Sequence, residues 1–540
     1  MIIKFSEISD NKLFQDYLYN FDNVKRFYNY NFRDEDSYTS VFNNVVKKNP
    51  DITAKVNEIL KKQYQKVSPS DKTNANIAKL SKKNTVAIFT GQQLGLVGGP
   101  LYTIYKIFTA IKLSEYLSEK FTGFNFVPVF WLAGDDHDFE EVTNLKFIDK
   151  NNELKKIYYY DFNNKEANKG SIGNLKFGNS INDFKTEIKN SIRETEFSKK
   201  FFKLLDKILV EGKTFKDSFF DLIFKIFDDA GLIIFNPQDS EIKELLKPIF
   251  LKELNDFNIH SSEVLLTSAD LDENYHTQVK VKPINLFYSN ETGRHLIEPV
   301  NDEFRLKGKR KHITKEEMFE LLEKFPERFS PNVLLRPVCQ DYLFPTGFYI
   351  AGPGEISYFA QVMPLYKNYN VPQPIIYPRA SATIVESNIA KILMKFNLSV
   401  KDFFAGEKTL KENVLNTLSS NNVETIFYTA TKSIEESLTK LTEQLSFIDN
   451  TIGEVSNKNK EKILNQLKVL QTKALKGEEN KYSAAMRQLK KAQNILYPNN
   501  NLQERELSIV NFINKYGTDF FDWLFNELEI NEFEHQILEL

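Results

Sequence analysis

The sequence predicts an α/β protein built on a doubly wound parallel sheet, with a helical region of coiled-coil character toward its C-terminus. Three observations predict it. Apolar runs of strand length recur, each followed by a polar or glycine-rich turn and a helix-periodic stretch. Phe126 to Leu132 (FVPVFWL) lacks alternation, as a strand covered on both faces should. From Ile434 the apolar residues step by four and three, the spacing of a heptad seam.

Val86 to Phe89 is the first strand-like run. The glycine loop TGQQLGLVGGP follows, then LYTIYKIFTAIKLSEYL, where Ile104, Ile107, Phe108, Ile111 and Leu113 fit helical spacing. With Phe126 to Leu132 these pieces make a βαβ unit. Leu232 to Phe235 before NPQDSEIKELLKPIF, Phe348 to Ala351 before GPGEISYFAQ, and Ile375 to Tyr377 before PRASATIVESNIAKIL repeat the strand, turn, helix order. Phe147 to about Gly231 is charged and rich in Asn and Lys, and Val279 to Leu306 has strand-like and turn-like pieces around YSNETGR. Both read as insertions beside or over the sheet.

In the helical region, Ile434, Leu438, Leu441, Leu445, Ile448, Ile452 and Val455 form one series, and Ile463, Leu467, Leu470, Ala474, Tyr482, Met486, Leu489, Gln493 and Leu496 a second. The polar stretch Ser456 to Lys460 is the expected turn between two helical arms, and Pro498 ends the run. So long and narrow a seam fits either a homodimer or an antiparallel hairpin closed within one chain. The expected partition is core 1–146, helical insertion 147–231, core 232–278, connecting insertion 279–330, core 331–400, coiled coil 401–500 and a C-terminal helical return 501–540.

At 540 residues the chain is long enough for two to four domains. Its 71 Lys and Arg against 73 Asp and Glu lack the basic excess of a nucleic-acid binder. No apolar stretch approaches the roughly 18 residues of a membrane span, and MIIKFSEISDNK has no apolar leader, so a cytoplasmic location is expected. Cys339 is the single cysteine, which excludes an intrachain disulfide and a CxxC site and reads as a core residue.

Three constellations could carry chemistry. In the loop Thr90 to Pro100, Gly91, Gly95, Gly98 and Gly99 would let backbone N–H groups approach an anion at a helix start, although the spacing matches neither GxGxxG nor GxxxxGK[ST]. Gln92 and Gln93 add amides that donate and accept. Tyr102 and Lys106, at i and i+4, share a helix face from which Lys106 could pair a negative charge. The second constellation, Gly134, Asp135, Asp136, His137 and Asp138, follows a buried strand at its carboxyl end, where open α/β sheets bind ligands. Its carboxylates and imidazole suit acid–base work, an ammonium group or a divalent metal. The third runs from Arg336 to Arg379. There Gly352 and Gly354 flank Pro353 at a helix start, Glu355 sits in the first turn and caps the helix or faces a ligand, and both arginines suit carboxylate or phosphate recognition. Lys307, Lys309, Arg310 and Lys311 read as a solvated basic loop, and the other histidines are too scattered for a metal site.

FTGQQLGLVGGPLYTIYK with VPVFWLAGDDHDFEEV, NVLLRPVCQDYLFPTGFYIAGPGEISYFAQ with YPRAS, and LYPNNNLQERELSIVNFINKYG together resemble the bacillithiol biosynthesis cysteine-adding enzymes along essentially the whole chain. The resemblance implies a Rossmann-like core with connecting-peptide insertions, a dimeric helical coiled coil, and a ligase joining the carboxyl of cysteine to the amine of glucosaminyl-malate. It further implies that Thr90, Gly91, Gln92, Gln93, Gly95, Gly99, Pro100, Tyr102 and Lys106 line the pocket over Asp135, Asp136, His137 and Asp138. Arg336, Gln340, Gly352, Gly354, Glu355, Tyr358, Arg379 and Ser381 would close it from the later strands.

Amide formation in water needs an activated acyl group, so ATP with Mg²⁺ is the expected co-substrate, its phosphates or the malyl carboxylates held by the glycine loop or the Gly352 to Glu355 turn. Asp136 or His137 would take the proton of the attacking ammonium group, with Lys106 and an arginine stabilising developing negative charge. Two other readings fit the same residues: a metal-dependent hydrolase or nucleotidyltransferase using the acidic cluster, and a nucleotide-binding coiled-coil scaffold without turnover.

Overall fold

A computed structural model describes residues 1–136, 139–160, 170–418 and 423–540, which fall into two units. The first is Met1–Thr383 with Gln503–Leu538, and the second is Ile384–Leu502 with Glu539–Leu540.

Five parallel strands form the centre of the first unit: Thr85–Gln93 (β1), Asn125–Ala133 (β2), Ile233–Phe235 (β3), Thr346–Ala351 (β4) and Ile375–Pro378 (β5), in the order β5-β4-β1-β2-β3. The chain winds outward from β1 to β3 and then returns to β4 beside β1. The topological switch point therefore lies between β1 and β4, and their carboxyl ends open a crevice there. Val86, Ala87, Ile88, Phe89, Val127, Val129 and Phe130 have no exposed surface, which explains the missing alternation. Phe130→Ala in such a wall would cost about 3–5 kcal/mol through lost transfer energy and a cavity. The helix Tyr102–Lys120 (α1) buries the predicted positions Ile104, Ile107, Phe108, Ile111 and Leu113.

Two local expectations differ. β1 does not stop at Phe89 but continues through Gly91, Gln92 and Gln93, which pair with Trp131, Leu132 and Ala133 of β2. The two glutamines thus sit on a strand end, because parallel pairing extends the ladder regardless of their polarity. After β5, a further strand, Ser381–Val385, precedes the helix Ser387–Phe396 where a polar turn alone was expected.

The insertions carry a hairpin, Asn144–Ile148 with Leu154–Tyr158, and an antiparallel five-strand sheet that includes Leu286–Asn290, Gly293–Val300 and Phe329–Pro331. The helix Ser240–Asp272 (α2) supplies Lys243 to pair with Asp135, and the helices Arg336–Leu343 (α3) and Pro353–Tyr369 (α4) reach the crevice. Near the C-terminus, His535–Glu539 pairs antiparallel with Ile2–Ile3.

In the second unit, Val423–Ile448 (α5) and Asn450–Lys481 (α6) form a helical hairpin whose turn is at Asp449. The Asp449 carboxylate accepts the Thr451 N–H at 2.7 Å and its hydroxyl at 2.6 Å, so this Asx turn sets the corner. The predicted turn Ser456 to Lys460 is instead helical, its polarity being that of a helix face. Small and polar residues take part in the contact between the arms, while Ile434, Leu438, Leu445 and Leu467 are half-buried. Thr442 Oγ1 meets Ser456 Oγ at 2.8 Å, Lys460 Nζ donates to Thr439 Oγ1 at 2.8 Å, and a Cβ on Gly453 would collide with Ser446 Oγ. Leu441, Ile448, Ile452, Val455, Ile463 and Leu470 of the heptad series stay exposed. No described helix is long and apolar enough to cross a membrane.

Candidate active site

The crevice at the switch point is a cleft of about 670 Å³ lined by β1, β2, the starts of α1 and α4, α3, the antiparallel insertion and the segment after α2. Among the described residues, seven cationic side chains line it (Lys106, Lys280, Lys282, Arg294, Arg336, Arg379, Arg505) against four carboxylates (Asp135, Asp136, Glu141, Glu355). Since the whole chain carries a formal charge of -2, this is a local excess of positive charge suited to anionic ligands.

Lys106 holds the floor together. Its ammonium group donates to Gly91 O at 3.0 Å, to Gln92 Oε1 at 3.0 Å and to Glu355 at 2.5 Å. Three donors meet three protein acceptors, which a buried ammonium requires. Lys106 therefore does not reach out to a ligand's charge as its helix position suggested. Instead it ties β1 to the start of α4. Burial pushes its pKa below the ordinary lysine value, partly offset by Glu355. Glu355 also accepts the Gly352 N–H at 2.9 Å and the Tyr349 hydroxyl at 2.8 Å, so it both caps α4 and anchors Lys106. Burial alone would raise its pKa, but Lys106 and the Gly352 N–H outweigh this and hold it below the ordinary glutamate value.

Arg336 begins α3 and donates to Gln340 Oε1 at 3.0 Å, Tyr349 Oη at 3.2 Å and Tyr358 Oη at 3.3 Å. All three are neutral acceptors, so among the described residues its charge meets no carboxylate at ion-pair distance and can receive an anionic group from the cleft. Gln340 has no exposed surface and lies behind Arg336, where it also donates to Asp341 at 2.8 Å. Burial raises the Asp341 pKa to about 6.

On the opposite wall, Asp135 is paired with Lys243 of α2 at 2.7 Å, and this lysine is 2% exposed. The pair engages one oxygen of Asp135, which still lines the cleft. Asp136 accepts from the Gln93 amide and lines the cleft beside it. Gly134, before Asp135, packs closely, since a Cβ there would lie 2.5 Å from Gln238 Oε1 and displace that side chain. Arg294, from the strand Gly293–Val300, stacks at 3.7 Å on Phe287 and donates to Ser330 Oγ and to Pro331 O. Burial lowers its pKa to about 10, still protonated at neutral pH. His137 and Asp138 lie outside the described residues.

Tyr102 marks the remaining end. Its hydroxyl accepts from Gln92 Nε2 at 3.1 Å, the Arg379 guanidinium lies 5.4 Å from its ring, and burial with Glu141 nearby raises its pKa to about 12. Arg379 is paired at 2.5 Å with Glu504, which is fully buried and also accepts from Ser381 Oγ at 2.9 Å. Ser381 in turn meets His535 Nδ1 at 2.8 Å, and burial drops the pKa of this histidine to about 4.

Of the residues singled out in the sequence, Gly91, Gln92, Gln93, Tyr102, Lys106, Asp135, Asp136, Arg336, Gly352, Gly354, Glu355, Tyr358 and Arg379 border one cleft. Thr90, Gly95, Gly99, Pro100, Gln340 and Ser381 do not. Thr90 is buried, with its hydroxyl on Ile350 O. Gly95 and Gly99 pack on each other, so that a Cβ on Gly95 would sit 2.8 Å from the Gly99 Cα. The loop behind them faces the C-terminal segment, with Leu101 N donating to Leu507 O at 2.9 Å. Sequence reasoning missed Lys243, Arg294, Glu504 and Arg505. An arginine in a buried, strand-like stretch next to GlyArgHis, and the acidic and basic residues of LQERELS, were the available signals.

The family model described as "Bacillithiol biosynthesis BshC, N-terminal Rossmann-like domain" matches residues 2–380, and "Bacillithiol biosynthesis BshC, C-terminal coiled-coil domain" matches residues 382–540. Proteins named "Putative cysteine ligase BshC" are similar over most of the chain. That of Salinibacter ruber is 32% identical over 97% of this chain and 96% of its own length. That of Chloroherpeton thalassium is 34% identical over 89% and 87%, and that of Bacillus cereus 31% over 88% and 88%.

Proposed function

The chain belongs to the BshC family of bacillithiol biosynthesis, and from that premise we propose that it is a ligase that joins the carboxyl group of cysteine to the amine of glucosaminyl-malate in the cleft between β1 and β4. The observation that carries this reading is the charge of the cleft: among the described residues, seven cationic groups line it against four carboxylates, and Arg336 is held by neutral acceptors. Cysteine and the malyl group both present carboxylates, and an apolar or cationic substrate would not repay such a wall.

In this reading Arg336 binds a substrate carboxylate and Lys106 keeps Gln92 and Glu355 in register without touching substrate. Asp136, beside the Gln93 amide, receives the proton that the attacking ammonium group must lose before its nitrogen can bond to the carboxyl carbon. ATP with Mg²⁺ would activate the cysteine carboxyl group by transferring a phosphate-bearing group to its oxygen, and that group would leave with the oxygen when the amine nitrogen bonds to the carboxyl carbon. The ATP phosphates fit the Gly352 to Gly354 turn, where α4 begins and Gly354 has open space beside it, better than the Gly95 to Pro100 turn that faces Leu507.

The second unit supports a homodimer. With Thr442, Ser446, Gly453 and Ser456 taking part in the α5–α6 contact, the exposed Leu441, Ile448, Ile452 and Val455 need another apolar surface, and a second copy supplies the same heptad spacing.

The test supplies glucosaminyl-malate, cysteine and ATP with Mg²⁺ and follows product by mass. A product equal in mass to the two substrates less one water, with a KM for glucosaminyl-malate raised in Arg336→Gln, is the expected result. ATP-dependent loss of either substrate without that product would reject the ligase reading.

A further inference from the structure

The C-terminal return, Gln503 to Ser508, meets the cleft at its Tyr102 end, and its backbone is fixed from two sides. Leu507 O accepts from Leu101 N at 2.9 Å, next to the bridge between Pro100 and Ser508, and Ser508 N donates to Lys146 O at 3.1 Å. Leu507 and Ile509 are buried. Within this fixed stretch Glu504 and Glu506 are both committed to other cations, Glu504 to Arg379 at 2.5 Å and Glu506 to Lys146 at 2.7 Å. Arg505 stands between them, lines the cleft, acts electrostatically on the Tyr102 phenol and forms no ion pair with a described residue. Its two chain neighbours in this acidic stretch are turned to other cations, so its charge is presented to the cleft on a rigid support.

We infer that this return is an anion-binding arm of the site, in which Arg505 contacts an oxyanion of the bound ligand and Glu504 is a positioning residue that holds Arg379 beside it. Both oxygens of Glu504 are used for this purpose, Oε1 by Arg379 and Oε2 by Ser381 Oγ and the Ala382 N–H at 3.0 Å. The Arg379 guanidinium is thereby fixed over the Tyr102 ring, and both arginines act electrostatically on that phenol. The oxyanion is a carboxylate or a phosphate, since a guanidinium serves both with the same geometry. The inference rests on the cleft being the ligand site of the proposed ligase, but not on the reaction performed there.

The test uses the full chain and three probes, L-malate, inorganic pyrophosphate and ATP, titrated calorimetrically into wild type, Arg505→Gln, Arg505→Lys and the control Lys311→Gln, which removes a lysine of the exposed basic run. Arg505→Gln should weaken at least one probe about 10- to 100-fold, the loss of one charge-assisted hydrogen bond. Its thermal midpoint should stay unchanged because Arg505 is exposed, and Arg505→Lys should recover part of the affinity. Weakened malate identifies a carboxylate ligand, and weakened pyrophosphate and ATP a phosphate. For Glu504 the readout is a double-mutant cycle: Glu504→Gln should weaken the same probe in wild type and have no further effect in Arg379→Gln, whereas a general structural role would give additive losses. Wild type that binds no probe, or Arg505→Gln that matches Lys311→Gln, overturns the inference. A failed product assay with these anion effects intact rejects only the ligase reading.

Discussion

Replacing Lys106 by Met keeps the length of the side chain and removes its charge, leaving Glu355 facing a buried floor. Removing one partner of a buried ion pair costs about 3–5 kcal/mol. Glu355 retains the Gly352 N–H and the Tyr349 hydroxyl, and its side chain is 21% exposed against 3% for Lys106, so the loss belongs at the low end, about 3 kcal/mol. The cost depends on pH. In wild type the Glu355 pKa is lowered in the folded state, so its contribution is present above the unfolded value of 4.5 and lost as pH falls through the folded value. In Lys106→Met the stranded carboxylate instead protonates easily, so the penalty shrinks toward pH 4. Urea unfolding followed by tryptophan fluorescence reads this directly, because both tryptophans, Trp131 and Trp523, lie in the first unit. The double variant Lys106→Met with Glu355→Gln should regain part of the loss. A deficit equal at pH 7 and pH 4, and unrelieved in the double variant, would show that Lys106 matters through packing alone and refute the electrostatic argument.

Placing two charges on the exposed heptad face, Leu441→Lys with Ile448→Lys, should convert a dimer into a monomer in light scattering with little loss of helicity by circular dichroism, since these residues do not close the α5–α6 contact. Asp341 has a folded pKa raised to about 6, so its ionisation opposes folding as pH rises through that value. Asp341→Asn should accordingly gain about 1–3 kcal/mol over wild type at pH 8, and the gain should vanish near pH 4, where both side chains are neutral, in denaturant titrations at the two pH values. Asp135→Asn strands Lys243, so it should lower stability by about 3 kcal/mol at neutral pH in the same unfolding assay.

The core was legible because its physics is local. Strands such as Phe126 to Leu132 are covered on both faces and show it as unbroken apolar runs, while α1 shows its buried side as helical spacing. The end of β1 was not legible, since Gly91, Gln92 and Gln93 become strand only through pairing with Trp131 to Ala133. In the helical hairpin, the polar stretch Ser456 to Lys460 looked like a turn, yet the corner is set by the short-range Asp449–Thr451 bonds. The heptad series correctly marked an apolar face, but Thr442, Ser446 and Gly453 take part in closing the hairpin, and Leu441, Ile448, Ile452 and Val455 are left outward. In the site, residues on β1, β2 and α4 could be placed from strand-end logic. What each side chain pairs with could not: Lys106 meets Glu355, and Asp135 meets Lys243, which lies more than a hundred residues away in the chain. Arg294, Glu504 and Arg505 reach the cleft through an insertion and the C-terminal return, and no local pattern in those stretches encodes their neighbours.

The central claim is that the cleft between β1 and β4 joins cysteine to glucosaminyl-malate with Asp136 as the proton acceptor. The most direct measurement is the rate of product formation, followed by mass, for wild type and Asp136→Asn at saturating glucosaminyl-malate, cysteine and ATP with Mg²⁺. The account predicts product from wild type and a rate lower by about 10²- to 10⁴-fold in the variant, with the thermal midpoint preserved. Product formed at the wild-type rate by Asp136→Asn would contradict it.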